Sequence, residues 1–269
     1  MNVKVCNLRS NDFASDFKSS VMNSGFAVLT HHGIDHGFIK EVQQVWRMFF
    51  LNTREYKDKW KNDLDGNMGY KGFKTEKAVG APIADLKEFY HWQPGKQLPT
   101  EVAALTMHMF AQLEDIGMQI LSVLEPEYRK CCQASDNTIL RTLYYPALDF
   151  AAEKGAVRAA AHEDINFITL LIAASAAGLQ VKDMKGNWQD VPHEENSIVV
   201  NVGDMLQLAS HGLYRSTTHR VVNPSDSKAD RISMPLFIHP HSDTLLADGF
   251  TAGQYLAERI AQIYQQVKT

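Results

Sequence analysis

The sequence has few cysteines and no long apolar run. Its 269 residues include only Cys6, Cys131 and Cys132, and no C-x-x-C pair, so a disulfide framework is excluded. No apolar stretch approaches the ~18 residues that a membrane span needs. The first residues lack the basic and then apolar pattern of a secretion signal. These absences predict a cytoplasmic protein with no membrane partner.

An excess of positive charge is also missing. The chain carries 27 Lys and Arg against 31 Asp and Glu, for a net charge of −4, so charge gives no reason to expect a nucleic-acid partner. The 45% apolar and 22% charged residues are ordinary globular usage and exclude disorder. Because no linker, repeat or low-complexity tract interrupts it, we expect residues 1–269 to form one domain.

The hydrophobic pattern changes near residue 136. Residues 1–135 are mostly helical in pattern, with apolar residues at helical spacing over 37–63 and 101–124. Short β-rich runs follow at 139–145, 168–172, 179–182, 198–202, 205–208, 215–222 and 231–239. Residues 251–267 return to helical spacing. Strands of this length and spacing predict a sandwich or barrel over 136–240, between an N-terminal helical region and a C-terminal helix.

A metal motif is the sharpest chemical signal in the chain. Non-haem Fe(II) oxygenases bind iron through two His and one carboxylate, beginning as H-x-D or H-x-E. Composition alone predicts about one such motif by chance. The sequence contains three, His162-x-Asp164, His193-x-Glu195 and His241-x-Asp243. Only the first directly precedes a run suited to a core strand, and residues two apart in extended chain share a face. The other two lie in polar turns.

A third ligand is expected from a different strand. His219 lies in the predicted strand 215–222 and alternates to the same side as Thr217 and Val221. His211 competes with it, but it precedes Gly212 at a predicted turn, which favours a structural hydrogen-bonding role.

The last predicted strand carries a basic residue on its polar face. Ile232, Met234, Leu236 and Ile238 form its apolar face. Arg231 and Ser233 share the other face, where a guanidinium and a hydroxyl suit a carboxylate, and Tyr145 could add a further hydrogen bond. Pairing of Arg231 with an internal acid, or its exposure at the strand start, stays open.

Together these residues resemble a known family, the isopenicillin N synthase-like Fe(II)/2-oxoglutarate-dependent oxygenases. The resemblance is carried by His162-x-Asp164, His219 and Arg231-x-Ser233 in that order. It extends over residues 20–240 through four further segments, namely 25–34 (with His31 in place of the usual Asn of "N-H-G-I"), 85–92 ("D-x-K-E-x-F/Y"), 143–146 ("N-x-Y-P") and the Gly203-Asp204 turn.

The resemblance implies a fold, a cofactor and a reaction. The fold would be a distorted double-stranded β-helix, or jelly roll, flanked by helices. His162, Asp164 and His219 would ligate Fe(II), while Arg231 and Ser233, with Tyr145, would hold the cosubstrate 2-oxoglutarate. The family uses O2 to hydroxylate, desaturate or cyclise a small organic molecule, and ascorbate serves some members as reductant.

The sequence leaves two alternatives open. Leu143 occupies the position of the family's "N-x-Y-P" asparagine, so an oxidase of the same fold that needs no 2-oxoglutarate stays open. A non-catalytic jelly-roll binding or sensing protein is the alternative from another class. Family analogy puts the substrate pocket near residues 87–91 and Tyr70, Phe167, Met234 and Phe237. There Lys87 and Glu88 would contact a zwitterionic substrate or form a structural ion pair.

Overall fold

The computed structural model describes residues 2–62, 68–76, 84–147, 158–172, 178–192, 194–222 and 230–267. Its helices are α1 (Phe13–Ser24), α2 (His36–Phe50), α3 (Arg54–Asp58), α4 (Thr100–Leu124), α5 (Pro126–Cys132), α6 (Asp204–Ala209) and α7 (Ala252–Val267). Its strands are β1 (Val5–Asn7), β2 (Phe26–Thr30), β3 (Gly69–Lys71), β4 (Glu88–Trp92), β5 (Ile139–Tyr145), β6 (Ala159–His162), β7 (Ile168–Ile172), β8 (Leu179–Lys182), β9 (Trp188–Asp190), β10 (Ile198–Val202), β11 (His219–Val221) and β12 (Arg231–Ile238).

The strands form two sheets. The larger has eight strands in the order β1-β2-β10-β7-β12-β5-β4-β3, and the smaller has the order β6-β11-β8-β9. Every pairing is antiparallel except β1 with β2. Residues 1–135 supply helices α1–α5 and four strands of the larger sheet, so the helical region and the β core share one sheet.

One face of the larger sheet is buried beneath helices. The predicted apolar face of β12, including Met234 and Leu236, packs into a continuous core with α2 and α4. Gly117 allows α4 to lie this close, because a Cβ there would come within 2.1 Å of Ile238 Cδ1.

The other face of the larger sheet lies opposite the smaller sheet. A separate apolar cluster joins Phe26, Val28 and Val199 of the larger sheet to Val181 and Val191. Two facing sheets with helices on the outer face are the jelly-roll core that the sequence predicts. Within the part of the chain that the structure describes, no helix has the length and apolar character needed to cross a bilayer.

Several boundaries differ from the sequence prediction. The predicted strand 205–208 is wrong, since these residues belong to α6, where four residues are too few to distinguish the two periods. The predicted strand 215–222 shrinks to β11. The predicted helix 37–63 is interrupted after Phe50, and α3 begins afresh because the Thr53 side chain caps it by accepting from Tyr56 N.

Candidate metal centre

Strand pairing brings two imidazoles together at the edge of the smaller sheet. His162 ends β6 and His219 begins β11, and the two residues are partners in the antiparallel register. Their ring centroids lie 4.4 Å apart. Asp164 follows two residues after β6, with Oδ1 at 3.7 Å from His162 Nε2 and 3.9 Å from His219 Nε2. Ligand atoms of all three residues lie within 4.8 Å of one another.

Backbone carbonyls determine which imidazole nitrogens face this point. The Ala160 carbonyl lies 2.8 Å from His162 Nδ1, and the Thr217 carbonyl lies 3.1 Å from His219 Nδ1. A carbonyl oxygen only accepts, so each Nδ1 carries the proton and each Nε2 keeps its lone pair. Two imidazole nitrogens and one carboxylate oxygen therefore converge, which is the donor set that mononuclear Fe(II) prefers in oxygenases.

The protonation states at neutral pH suit a metal ion. Desolvation first, and then the neighbouring His219, lower the pKa of His162 to about 4, although 39% of its side chain is exposed. Burial raises the pKa of Asp164, but the two histidines and two hydrogen bonds outweigh it and hold that pKa below its ordinary value. At pH 7 a neutral His162 and an ionised Asp164 are therefore ready to bind a cation without first losing a proton.

The candidate carboxylate site lies on the neighbouring strands of the larger sheet. Arg231 of β12 pairs in register with Tyr145 of β5, and Ser233 pairs with Leu143. Arg231 is 1% exposed, and its guanidinium carbon lies 5.1 Å from the centroid of the Tyr145 ring. Burial of this guanidinium rules out the solvent-exposed strand start that the sequence left open. A buried cation of this kind fits a carboxylate ligand such as 2-oxoglutarate.

A second arginine, which no sequence motif predicts, lies at the same tyrosine. Arg158 is 2% exposed, and its guanidinium carbon lies 5.7 Å from the Tyr145 centroid. Desolvation lowers the pKa of Arg158, and the positive charge of Arg231, which lies over the same Tyr145 ring, lowers it further. No motif points to Arg158, which directly precedes β6.

Leu143 stands where the family pattern has asparagine. In the structure it packs with Phe89 and Tyr145 in a small buried cluster. This position therefore supplies an apolar wall beside Ser233 and donates no side-chain hydrogen bond.

A network of four charged side chains braces β6, the strand that carries the candidate ligand His162. Lys87 Nζ lies 2.6 Å from Glu76 and 2.8 Å from Asp85, while Arg141 reaches both oxygens of Glu76 at 3.2 and 3.1 Å. Asp85 also accepts from the Ala160 backbone N–H at 3.1 Å. Because Ala160 precedes His162 by two residues, the network supports the strand that presents that imidazole.

The expected substrate-side residues divide between two faces of the larger sheet. Lys87 belongs to the network beside the metal group, whereas Glu88 binds Lys57 Nζ at 2.8 Å and the Tyr70 hydroxyl on the helix side. Adjacent strand residues point to opposite faces, so Lys87 and Glu88 do not form one zwitterion site. Tyr70, Phe167 and Met234 also lie in the helix-facing core.

The competing histidine motifs lie away from this group. Glu195 is an exposed partner of His36 at 3.1 Å, and His193 lies outside the described residues. His241 Nε2 lies 2.9 Å from the Gln133 carbonyl, in a turn. His211 is exposed at a turn with φ of 50°. Over the described ranges, His162, Asp164 and His219 are the one group of three with ligand geometry.

Comparisons with known proteins point to one superfamily of enzymes. A model of the 2OG-Fe(II) oxygenase superfamily matches residues 136–240, and a model of the non-haem dioxygenase N-terminal region matches residues 5–110. A putative oxygenase from Shewanella oneidensis is 35% identical with a TM-score of 0.86, covering 98% of this chain and 99% of that one. A putative 2OG-Fe(II) oxygenase family protein from Caulobacter crescentus is 30% identical with a TM-score of 0.82, covering 97% and 99%.

A third structure includes the cosubstrate. A full-length protein of Neurospora crassa, solved in complex with alpha-KG, is 25% identical with a TM-score of 0.82, covering 96% of this chain and 95% of that one. This chain belongs to the 2OG-Fe(II) oxygenase superfamily. It is therefore an oxidoreductase whose cofactors are Fe(II) and 2-oxoglutarate.

Proposed function

We propose that this enzyme couples the oxidation of a small organic molecule by O2 to the conversion of 2-oxoglutarate into succinate and CO2. The observation that carries the proposal is one juxtaposition. A converging His162, Asp164 and His219 group lies in the same jelly roll as the buried pair of Arg231 and Tyr145. One part suits Fe(II), and the other suits the distal carboxylate of a dicarboxylate.

Each side chain has a stated task in this proposal. His162, Asp164 and His219 hold Fe(II), which when bound supplies the activation of O2. Arg231 pairs with the distal carboxylate of 2-oxoglutarate, and Ser233 and Tyr145 offer hydroxyl groups to it. Arg158, on the same tyrosine ring, adds positive charge that favours a doubly negative cosubstrate.

The remaining work of the protein is orientation and exclusion of water. The apolar cluster of Phe89, Leu143 and Tyr145 keeps water away from the carboxylate site, and this strengthens the pairing with Arg231. Hydroxylation, desaturation and ring closure all begin at one C–H bond of the substrate, so the pocket selects the site of oxidation by which bond it places near the metal. Ascorbate would serve as a reductant that restores Fe(II).

The test is an anaerobic titration. Fe(II) is added to the purified apoprotein, 2-oxoglutarate is titrated, and the visible spectrum is recorded. Direct chelation gives a charge-transfer band that saturates at one equivalent. Arg231→Ala should weaken 2-oxoglutarate binding by about 30-fold, because losing one partner of a buried charge pair costs at least ~2 kcal/mol, while iron binding persists.

A matched control uses an arginine beside a proposed ligand. Arg220 follows His219 on β11, but it donates to Gln180 at 2.9 Å and stacks on Trp188, so Arg220→Ala should keep the band. Iron binding without any 2-oxoglutarate band in the wild type would contradict the proposal and favour the oxidase alternative. With the band present, a substrate screen follows with succinate as the readout.

A further inference from the structure

The two carboxylate oxygens of Asp164 have different surroundings. Oδ1 faces the Nε2 atoms of His162 and His219 at 3.7 and 3.9 Å. Oδ2 points away from them and accepts two hydrogen bonds, at 2.6 Å from the Thr169 hydroxyl and at 2.8 Å from Asn201 Nδ2. All three of these polar side chains are buried.

The direction of the Thr169 hydrogen bond is determined by its neighbours. An ionised carboxylate only accepts, so the hydroxyl must donate its single proton to Asp164. Asn166 Nδ2 donates to the Thr169 oxygen at 3.0 Å and to the Ile168 carbonyl at 2.8 Å. The hydrogen bond from Asn166 is the second contact of the Thr169 oxygen, and it holds the hydroxyl in the rotamer that faces Asp164.

Asn201 reaches Asp164 from the neighbouring strand. It lies on β10 opposite Thr169 of β7 in the antiparallel register, so both side chains leave the same face of the sheet. The same acceptor-only argument requires the NH2 group of Asn201, and not its oxygen, to face the carboxylate.

The segment after Asn201 holds the backbone around Asp164. Asp204 N donates to the Asp164 carbonyl at 2.7 Å, and Gly203 N donates to the Phe167 carbonyl at 2.9 Å. Asp164 is therefore restrained at its backbone and at one carboxylate oxygen, while the other carboxylate oxygen stays directed at the two imidazoles.

We propose that Thr169 and Asn201 are positioning residues that restrict Asp164 to metal binding through Oδ1 alone. This inference rests on the proposed function, because it assigns the carboxylate to Fe(II). A carboxylate free to rotate about its Cβ–Cγ bond could bind the metal through both oxygens. It would then take a coordination position that 2-oxoglutarate or O2 needs. Two donors on Oδ2 oppose that rotation, since turning would break both hydrogen bonds inside a buried site.

The experiment removes each donor separately. Thr169→Val keeps the shape and loses the hydroxyl, whereas Thr169→Ser keeps the hydroxyl and loses a methyl group. Asn201→Ala removes the second donor. Thr142→Val is the matched control, because Thr142 is a buried threonine of the same sheet whose strand position places it on the opposite, helix-facing side.

Fe(II) dissociation constants are measured anaerobically by equilibrium dialysis, followed by 2-oxoglutarate titration of the metal-saturated proteins. Thr169→Val and Asn201→Ala should each weaken Fe(II) binding about 10–100-fold, the usual cost of losing a group that orients a ligand. Both should also raise the 2-oxoglutarate concentration needed for half-saturation. Thr169→Ser should restore both constants, and Thr142→Val should leave both unchanged.

Three outcomes would overturn the inference. Unchanged Fe(II) and 2-oxoglutarate constants in Thr169→Val and Asn201→Ala would show that the donors do not position Asp164. A Thr169→Ser variant as impaired as Thr169→Val would assign the effect to packing. Failure of the wild-type protein to bind Fe(II) would instead contradict the proposed function, and this inference would fall with it.

Discussion

At the scale of single residues, Gly203 lets its own segment approach Asn166 closely, beside the candidate metal ligand Asp164. A Cβ on Gly203 would lie 2.2 Å from the Asn166 carbonyl oxygen and 2.4 Å from its side-chain oxygen. The backbone of Gly203, with φ of −100°, suits any residue, so the need for glycine is one of space. Its lack of a side chain lets its N–H reach the Phe167 carbonyl.

Gly203→Ala should therefore lower the free energy of unfolding by about 1–3 kcal/mol, the usual cost of overpacking. It should also weaken Fe(II) binding, because Asn166 supports the Thr169 hydroxyl. Urea denaturation and equilibrium dialysis measure the two effects. Gly72→Ala is the control, since a Cβ there meets its nearest atoms at 3.7 and 3.8 Å. Equal unfolding midpoints in the two variants would contradict this account.

The sequence predicts that His162, Asp164 and His219 come together, as they do in the structure, but it does not predict the residues that support Asp164. His162 and Asp164 are two residues apart, so strand alternation alone predicts that they share a face. Asn201 meets Asp164 across 37 positions of the chain. That contact depends on the register between β7 and β10, which no local pattern encodes.

At the scale of secondary-structure elements, α7 is anchored to the start of α6. The Tyr255 hydroxyl donates to Asp204 Oδ2 at 3.2 Å, and Arg259 lies 3.4 Å from the same oxygen. Desolvation raises the pKa of Asp204 despite these partners, so its charge depends on them. Because Asp204 N also donates to the Asp164 carbonyl, the C-terminal helix is linked to the segment that carries Asp164.

Tyr255→Phe should reduce stability by about 1–2 kcal/mol, since it removes a hydrogen bond to a buried carboxylate. The measurement is urea denaturation followed by circular dichroism. Tyr56→Phe provides the comparison, because the Tyr56 hydroxyl binds Glu101 at the surface at 2.6 Å, where water replaces the lost contact. A larger loss in Tyr56→Phe than in Tyr255→Phe would refute the proposed anchoring.

Predictions for the elements were most accurate where a strand had clear ends. Strands β5, β7, β8 and β10 have the predicted bounds, because turn residues flank each run. The five residues of β4 are all buried, so this strand shows no alternation in sequence and was not predicted. Short elements such as α6 are decided by neighbours and not by their own pattern.

At the scale of the whole molecule, the three candidate metal ligands His162, Asp164 and His219 lie between the two sheets and are held by both. His162 and His219 belong to the smaller sheet, while Asp164 is held by β7 and β10 of the larger. A bound ion would therefore tie the sheets together in the folded state only. The organisation of residues 1–269 as one domain stays a prediction, supported by the strands that residues 1–135 place in the larger sheet.

Adding Mn(II) should consequently raise the melting temperature. An ion at 100 times its dissociation constant adds about 2.7 kcal/mol, which corresponds to about 5–10 °C for a chain of this size. Differential scanning fluorimetry measures the shift, and a chelator should reverse it. Asp164→Ala should fold but show no shift, and an undiminished shift in that variant would indicate that the ion binds elsewhere.

The sequence by itself determined the class of the protein. The ligand spacing, the strand pattern and the Arg231-x-Ser233 pair are local features that can be read from the sequence without a structure. Only the tertiary structure showed that Arg158 joins Arg231 at Tyr145, that Glu76 and Asp85 brace the strand of His162, and that Thr169 and Asn201 hold one oxygen of Asp164. These contacts join residues from separate elements. Their existence depends on strand register and sheet packing, which are properties of the folded chain.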